Sequence, residues 1–133
     1  MFAIRPIRLF AVAALVAASV AYAGGDDPKG NAAKGKDLFM TKSCVACHSV
    51  AKGDTTTVGP SLFGIMGRKA GTAPSLLGAS VNLKKYGVTW NAETLGEFLE
   101  NPDAKVPGTP MAGVLTDPQD RADMIAYLST LKE

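Results

Sequence analysis

Apolar positions recur at helical spacing in three stretches of the chain, and no stretch shows the period-two alternation of a strand. Over residues 31–42 (NAAKGKDLFMTK), Leu38 and Phe39 follow Gly35 by three and four positions, which predicts one helical face. Gly35 costs such a helix about 1 kcal/mol against Ala, so a close backbone contact is the expected reason for it. A second helix is predicted from near Asn91, with Leu95, Phe98 and Leu99 on one face; it must stop by Asn101 because Pro102 cannot continue it. The third opens with Asp117 as N-cap and Pro118 at the first helical position. It carries Met124, Ile125, Leu128 and Leu131 as a stripe and is expected to reach the C-terminus.

The stretch between residues 49 and 90 behaves differently. It is rich in Gly, Pro, Thr and Ser, with only short apolar pieces such as Leu62, Phe63, Ile65 and Met66. A compact domain seldom holds so long a structureless connection, and three short helices alone give a thin core at this size. Both difficulties disappear if the loops wrap a large, flat apolar ligand that serves as the core. The Gly and Pro residues are scattered, with no internal repeat and no low-complexity tract.

The N-terminal stretch MFAIRPIRLFAVAALVAASVAYA sets Arg5 and Arg8 before an apolar run and ends in Ala21-Tyr22-Ala23, the small residues of a signal-peptidase site. Only 15 residues separate Arg8 from Gly24, whereas a spanning helix needs about 20. A secretory signal peptide over 1–23, cleaved after Ala23, is therefore expected in preference to an anchor. The mature chain is then one domain, 24–133, in the periplasm.

The whole sequence has 133 residues with 14 Lys and Arg against 12 Asp and Glu. Removing Arg5 and Arg8 leaves 12 against 12, and this balance speaks against nucleic-acid binding as the main task. Two cysteines exclude a disulfide-rich scaffold. Both fall with the single histidine in Cys44-Val45-Ala46-Cys47-His48. C-x-x-C-H is the attachment signature of c-type haem: two thiols at this separation can add to the two haem vinyl groups, and the adjacent imidazole is then held under the iron. The competing readings are a disulfide or thioredoxin-like pair, which lacks its βαβ surroundings, and zinc, which usually takes four protein ligands where only three Cys and His exist.

A low-spin electron carrier needs a second axial ligand, and a Met thioether raises the potential. Met40 and Met124 sit on helical faces, where a Met more often fills the core. Met66 follows an apolar run and suits either role. Met111 ends the segment Val106-Pro107-Gly108-Thr109-Pro110-Met111, in which two prolines and a glycine suit a rigid loop that presents one side chain.

An ordered set of segments, CVACH, GPSLFGIMGRKAGTAP, GVTW, LENPDAKVPGTPM and RADMIAYL, resembles the class I cytochromes c over the whole mature chain. The resemblance implies an all-α fold of three to five helices with long irregular loops, wrapped around one covalent haem c. It implies Cys44 and Cys47 in thioether links, His48 as proximal and Met111 as distal iron ligand, and the Pro60 carbonyl as acceptor for His48 Nδ1. Gly35 and Phe39 would meet Tyr127 and Leu128 where the terminal helices cross. Arg68 and Trp90 match positions that hold a haem propionate, and Thr109 matches another polar contact near it. Three departures stand out. Phe98 replaces a Tyr near the Met sulfur, residues 75–80 lack the Tyr that usually contacts a propionate, and no aromatic follows Met111 at the haem edge.

Charge is divided along the chain. Residues 29–85 hold nine basic and two acidic side chains, and residues 93–133 hold three and eight. Such a dipole steers encounters, and Lys42, close to Cys44, is expected at the exposed haem edge. The expected function is a one-electron shuttle with no enzymatic activity, monomeric and not inserted in the membrane, with membrane or periplasmic redox proteins as donor and acceptor. A haem peroxidase would need an open iron site with distal acid and base groups, and there is no second His to supply one. A subunit-like cytochrome module is the third reading.

Overall fold

A computed structural model of the protein describes residues 29–112 and 115–133. The expected signal peptide lies outside them. The described residues form five α-helices in chain order: α1 Ala32–Thr41, α2 Val81–Tyr86, α3 Ala92–Glu100, α4 Pro102–Lys105 and α5 Pro118–Thr130. A 3-10 turn, Cys44–Ala46, follows α1. The only β feature among the described residues is an isolated antiparallel bridge between Lys69 and Thr89. No helix among them is long and apolar enough to cross a membrane.

Each predicted helix begins at a side-chain cap. Asn31 Oδ1 accepts from Lys34 N at 3.1 Å, and Asp117 accepts from the backbone N–H groups of Gln119 and Asp120, satisfying donors that a helix start leaves free. Asn91 and Thr94 form a reciprocal capping box at α3. Pro102 ends α3 as expected, but it also opens α4, which the sequence reading lacked. Asn101 therefore serves as C-cap of one helix and N-cap of the next, its side chain accepting from Ala104 N. α5 stops at Thr130, with Leu131 as its C-cap, so that Leu131 packs from outside the helix.

α1 crosses α5 at Gly35. A Cβ there would overlap the Asp123 carbonyl oxygen and lie 2.7 Å from Tyr127 Cβ, which accounts for a glycine inside a helix. The Phe39 ring meets Tyr127 at a centroid distance of 5.9 Å. Asp123 is buried at this crossing and accepts from Asn31 N at 2.7 Å and Gln119 Nε2 at 2.8 Å. A buried carboxylate thus finds donors on both helices. On the far side, Trp90, Phe98 and Tyr86 pack in a tilted aromatic cluster, with Trp90 and Phe98 centroids 5.1 Å apart. Ile65, Ala70, Leu95, Leu99, Val106, Leu115, Met124 and Leu128 belong to the same core.

Met124 is almost fully buried, whereas Met40 is 57 % exposed and fills no core. The residues of α1 that are buried are Gly35 and Phe39.

Candidate functional site

The 3-10 turn places the pentapeptide at the end of α1. Cys44 N-terminates the turn and is half-buried, Cys47 follows it and is exposed, and both thiols are free. Burial raises the Cys44 thiol above its ordinary pKa. Ser43, just before it, has a φ of 61° and no side-chain cap. Among the described residues no three His, Cys, Asp or Glu side chains gather to hold a metal by themselves, as a zinc site would require.

His48 is fixed by a second loop. Its Nδ1 lies 2.8 Å from the Pro60 carbonyl oxygen, so Nδ1 carries the proton and Nε2 keeps its lone pair. Burial lowers the pKa of the imidazole, opposed by the Pro60 hydrogen bond and reinforced by the Arg68 charge. Burial thus favours the neutral ring, which is the metal-ligating form. Gly59 leaves room for it: a Cβ there would overlap Cε1 and lie 2.7 Å from Nδ1.

That second loop is sewn to the first. Gly59 N donates to Cys47 O, Leu62 N to Ser49 O, and Ser61 Oγ to Ala51 O at 2.7 Å. Arg68 stands behind it, donating from Nη2 to Ser61 O at 2.9 Å and from Nη1 to Phe63 O at 3.1 Å. Burial lowers the guanidinium pKa, yet it remains far above neutrality. The fold brings Arg68 and Trp90 together through Trp90 N to Arg68 O at 2.9 Å and Gly67 N to Trp90 O at 2.7 Å. Two of Arg68's five N–H donors are thereby engaged on backbone, leaving three for another acceptor. The Trp90 ring is buried between Tyr86 and Phe98.

Met111 is half-buried against the core, and so is Met66. The segment before Met111 is a β-turn closed by Thr109 N to Val106 O at 3.1 Å. Pro107 occupies its second position and Gly108, with φ of 76°, its third, as a type II turn requires. Thr109 Oγ1 accepts from Met111 N at 3.3 Å. Tyr86, distant from the expected propionate position in sequence, belongs to the aromatic cluster.

The residues fit a covalently held haem. Two unpaired thiols adjoin a neutral imidazole whose outer nitrogen is bound and whose inner one is free, and Gly59 provides a cradle that any side chain would fill. Leu62, Met66, Leu83, Val88 and Met111 offer half-buried apolar surface for a porphyrin. Sequence reasoning missed Gly59 and Ser61. The Gly59-Pro60 pair was a visible turn signal, but nothing in the sequence marked it as the floor of the imidazole.

The comparisons agree with this chemistry. Residues 32–132 match the family model described as Cytochrome c. The chain is 44 % identical over 109 residues to cytochrome c2 of Rhodopila globiformis, covering 81 % of this chain and 100 % of that one. It is 45 % identical over 119 residues to cytochrome c2 of Rhodomicrobium vannielii, covering 89 % of each. It is 43 % identical over 101 residues to cytochrome c of Arabidopsis thaliana, covering 75 % of this chain and 88 % of that one.

Proposed function

The chain belongs to the cytochrome c family, as an electron-transfer protein with covalent haem c, and from that premise we propose that it is a monohaem, one-electron carrier of the bacterial periplasm. In this reading residues 1–23 are a signal peptide removed after Ala23, and the exported domain is 24–133. Cys44 and Cys47 hold the haem through thioethers, His48 and Met111 ligate the iron, and Arg68 and Trp90 stand by a propionate. The protein works as a monomer between membrane or periplasmic redox proteins. When bound, haem c supplies an iron that alternates between ferrous and ferric, one electron at a time.

The rest of the work falls to the polypeptide. The observation that carries the reading is the Nδ1 hydrogen bond of His48 to Pro60 O, because it fixes tautomer and ring orientation beside two free thiols. The loop stitched to Cys47, Ser49 and Ala51 keeps that carbonyl in place.

Acid-acetone extraction of protein from its natural source tests the thioethers. Haem should stay with the wild-type chain and leave the Cys44→Ser/Cys47→Ser double variant; complete loss from wild type would refute covalent attachment through these thiols. The oxidised spectrum tests the sixth ligand. Its weak far-red band should vanish in Met111→Ala, and a band that persists would move the assignment to Met66.

A further inference from the structure

The turn that precedes Met111 is held in an unusual way: both ends of its central peptide unit are gripped by side chains from other elements. The Pro107 carbonyl accepts from Asn82 Nδ2, on α2, at 2.7 Å. The N–H of the same unit, on Gly108, donates to Asp103 Oδ1, on α4, at 2.8 Å. Neither group is needed to close the turn, since the turn's own hydrogen bond runs from Thr109 N to Val106 O.

Type I and type II turns share that closing bond and differ mainly by a flip of the central peptide. Flipping it here would reverse the carbonyl and the N–H, breaking both side-chain hydrogen bonds together. The type II form also relies on Gly108, whose φ of 76° an L side chain rarely adopts. A Cβ at Gly108 would meet nothing within 4 Å, so backbone conformation alone disfavours a substitution. The other end of the turn is equally firm. Val106 is 1 % exposed and its N–H donates to Pro102 O at 2.8 Å. The orientation of this peptide is therefore a freedom that the closing bond of the turn does not fix.

We propose that Asn82 and Asp103 are positioning residues for the Met111 thioether, which they serve by locking the Pro107–Gly108 peptide in the type II orientation. This rests on the reading of Met111 as iron ligand. Both side chains are exposed, so their removal leaves the core intact. A loosened turn lets the thioether leave the iron more often and gives an added ligand easier access.

The test uses oxidised holoprotein and imidazole as the competing ligand, with the far-red band and the helical circular dichroism followed in parallel. Asn82→Ala and Asp103→Ala should each raise imidazole affinity about fivefold, the equivalent of one net hydrogen bond, while the denaturant midpoint of the helical signal changes little. Asp103→Asn keeps an acceptor and should restore wild-type affinity. Gly108→Ala should act in the same direction by a different route, through backbone strain.

Because one flip breaks both bonds, their contributions to the flip add, and the double Ala variant should bind imidazole more tightly than either single variant, up to the product of the two effects. If Met111→Ala abolishes the far-red band but both single Ala variants bind imidazole as wild type does, the locking role is overturned. A lowered denaturant midpoint with unchanged imidazole affinity overturns it too, by making the two residues structural only. If Met111→Ala keeps the band, the ligand assignment itself falls.

Discussion

At the residue scale, the site depends on atoms that are missing as much as on those present. Gly59→Ala would force a methyl group into the His48 ring, and overpacking of this kind costs about 1–3 kcal/mol. A shifted spectrum and reduced holoprotein yield are the expected signs. Arg68→Ala would leave the Ser61 and Phe63 carbonyls without charged donors, at about 1.5–3 kcal/mol for such bonds; a denaturation midpoint measures it. Asp123 makes a pH prediction. The Asn31 N–H, then the Gln119 amide, hold its carboxyl below the ordinary 3.8. A carboxylate with a depressed folded pKa contributes stability that is fully present above its unfolded value and is lost as pH falls through the folded one. Acid titration of unfolding below about pH 4 should be flatter in Asp123→Asn than in wild type. Much of the chemistry was legible at this scale, because Cys44, Cys47 and His48 stand together in sequence and need no fold to be seen. Arg68 was legible as a match to a propionate-holding position; that its guanidinium turns inward to two carbonyls is a property of the loop around it.

At the scale of elements, α1, α3 and α5 were visible because each has an apolar stripe and a capping residue. α2 was not. Six residues, Val81–Tyr86, present no buried side chain, and the helix exists through the Ser80 cap at one end and a left-handed Gly87 at the other. α4 was hidden by Pro102, since a proline that ends one helix equally suits the first position of the next. Asn101 joins them, so Asn101→Ala should cost about 1 kcal/mol and disturb both α3 and α4. Hydrogen exchange that quickens at Ala104 would report it. The α1–α5 crossing is the more sensitive joint. Gly35→Ala pits a methyl group against the Asp123 backbone, which cannot rotate aside as a flexible side chain can, and the unfolding free energy measured by denaturant titration should fall by about 1–3 kcal/mol.

For the whole molecule, the charge division seen in the sequence is partly cancelled by folding. Lys42 lies 3.9 Å from Asp120, Lys52 pairs with Glu133, and both pairs join the basic portion of the chain to the acidic one. Steering by Lys42 is therefore weaker than its place beside Cys44 suggested, since a neighbouring carboxylate offsets its field at distance. Asp120→Asn should speed electron transfer to an acidic partner at low salt, and Lys42→Glu should slow it. Both differences should shrink between 0.01 M and 0.15 M salt, as the Debye length falls from about 30 Å to about 8 Å. Stopped-flow rates across that range would check them. The crossing of α1 and α5 also orders events in time. It unites residues separated by 92 positions, so a nascent chain made from its N-terminus has α1 and both thiols long before it has the partner that covers Gly35. Closure of so distant a contact is intrinsically slow. During that interval the segment carrying Cys44 and Cys47 lacks the α1–α5 packing that holds it in the folded chain. A chain ending at residue 116 would prolong this interval indefinitely, and its thiols should react with an alkylating reagent faster than those of the full-length apoprotein.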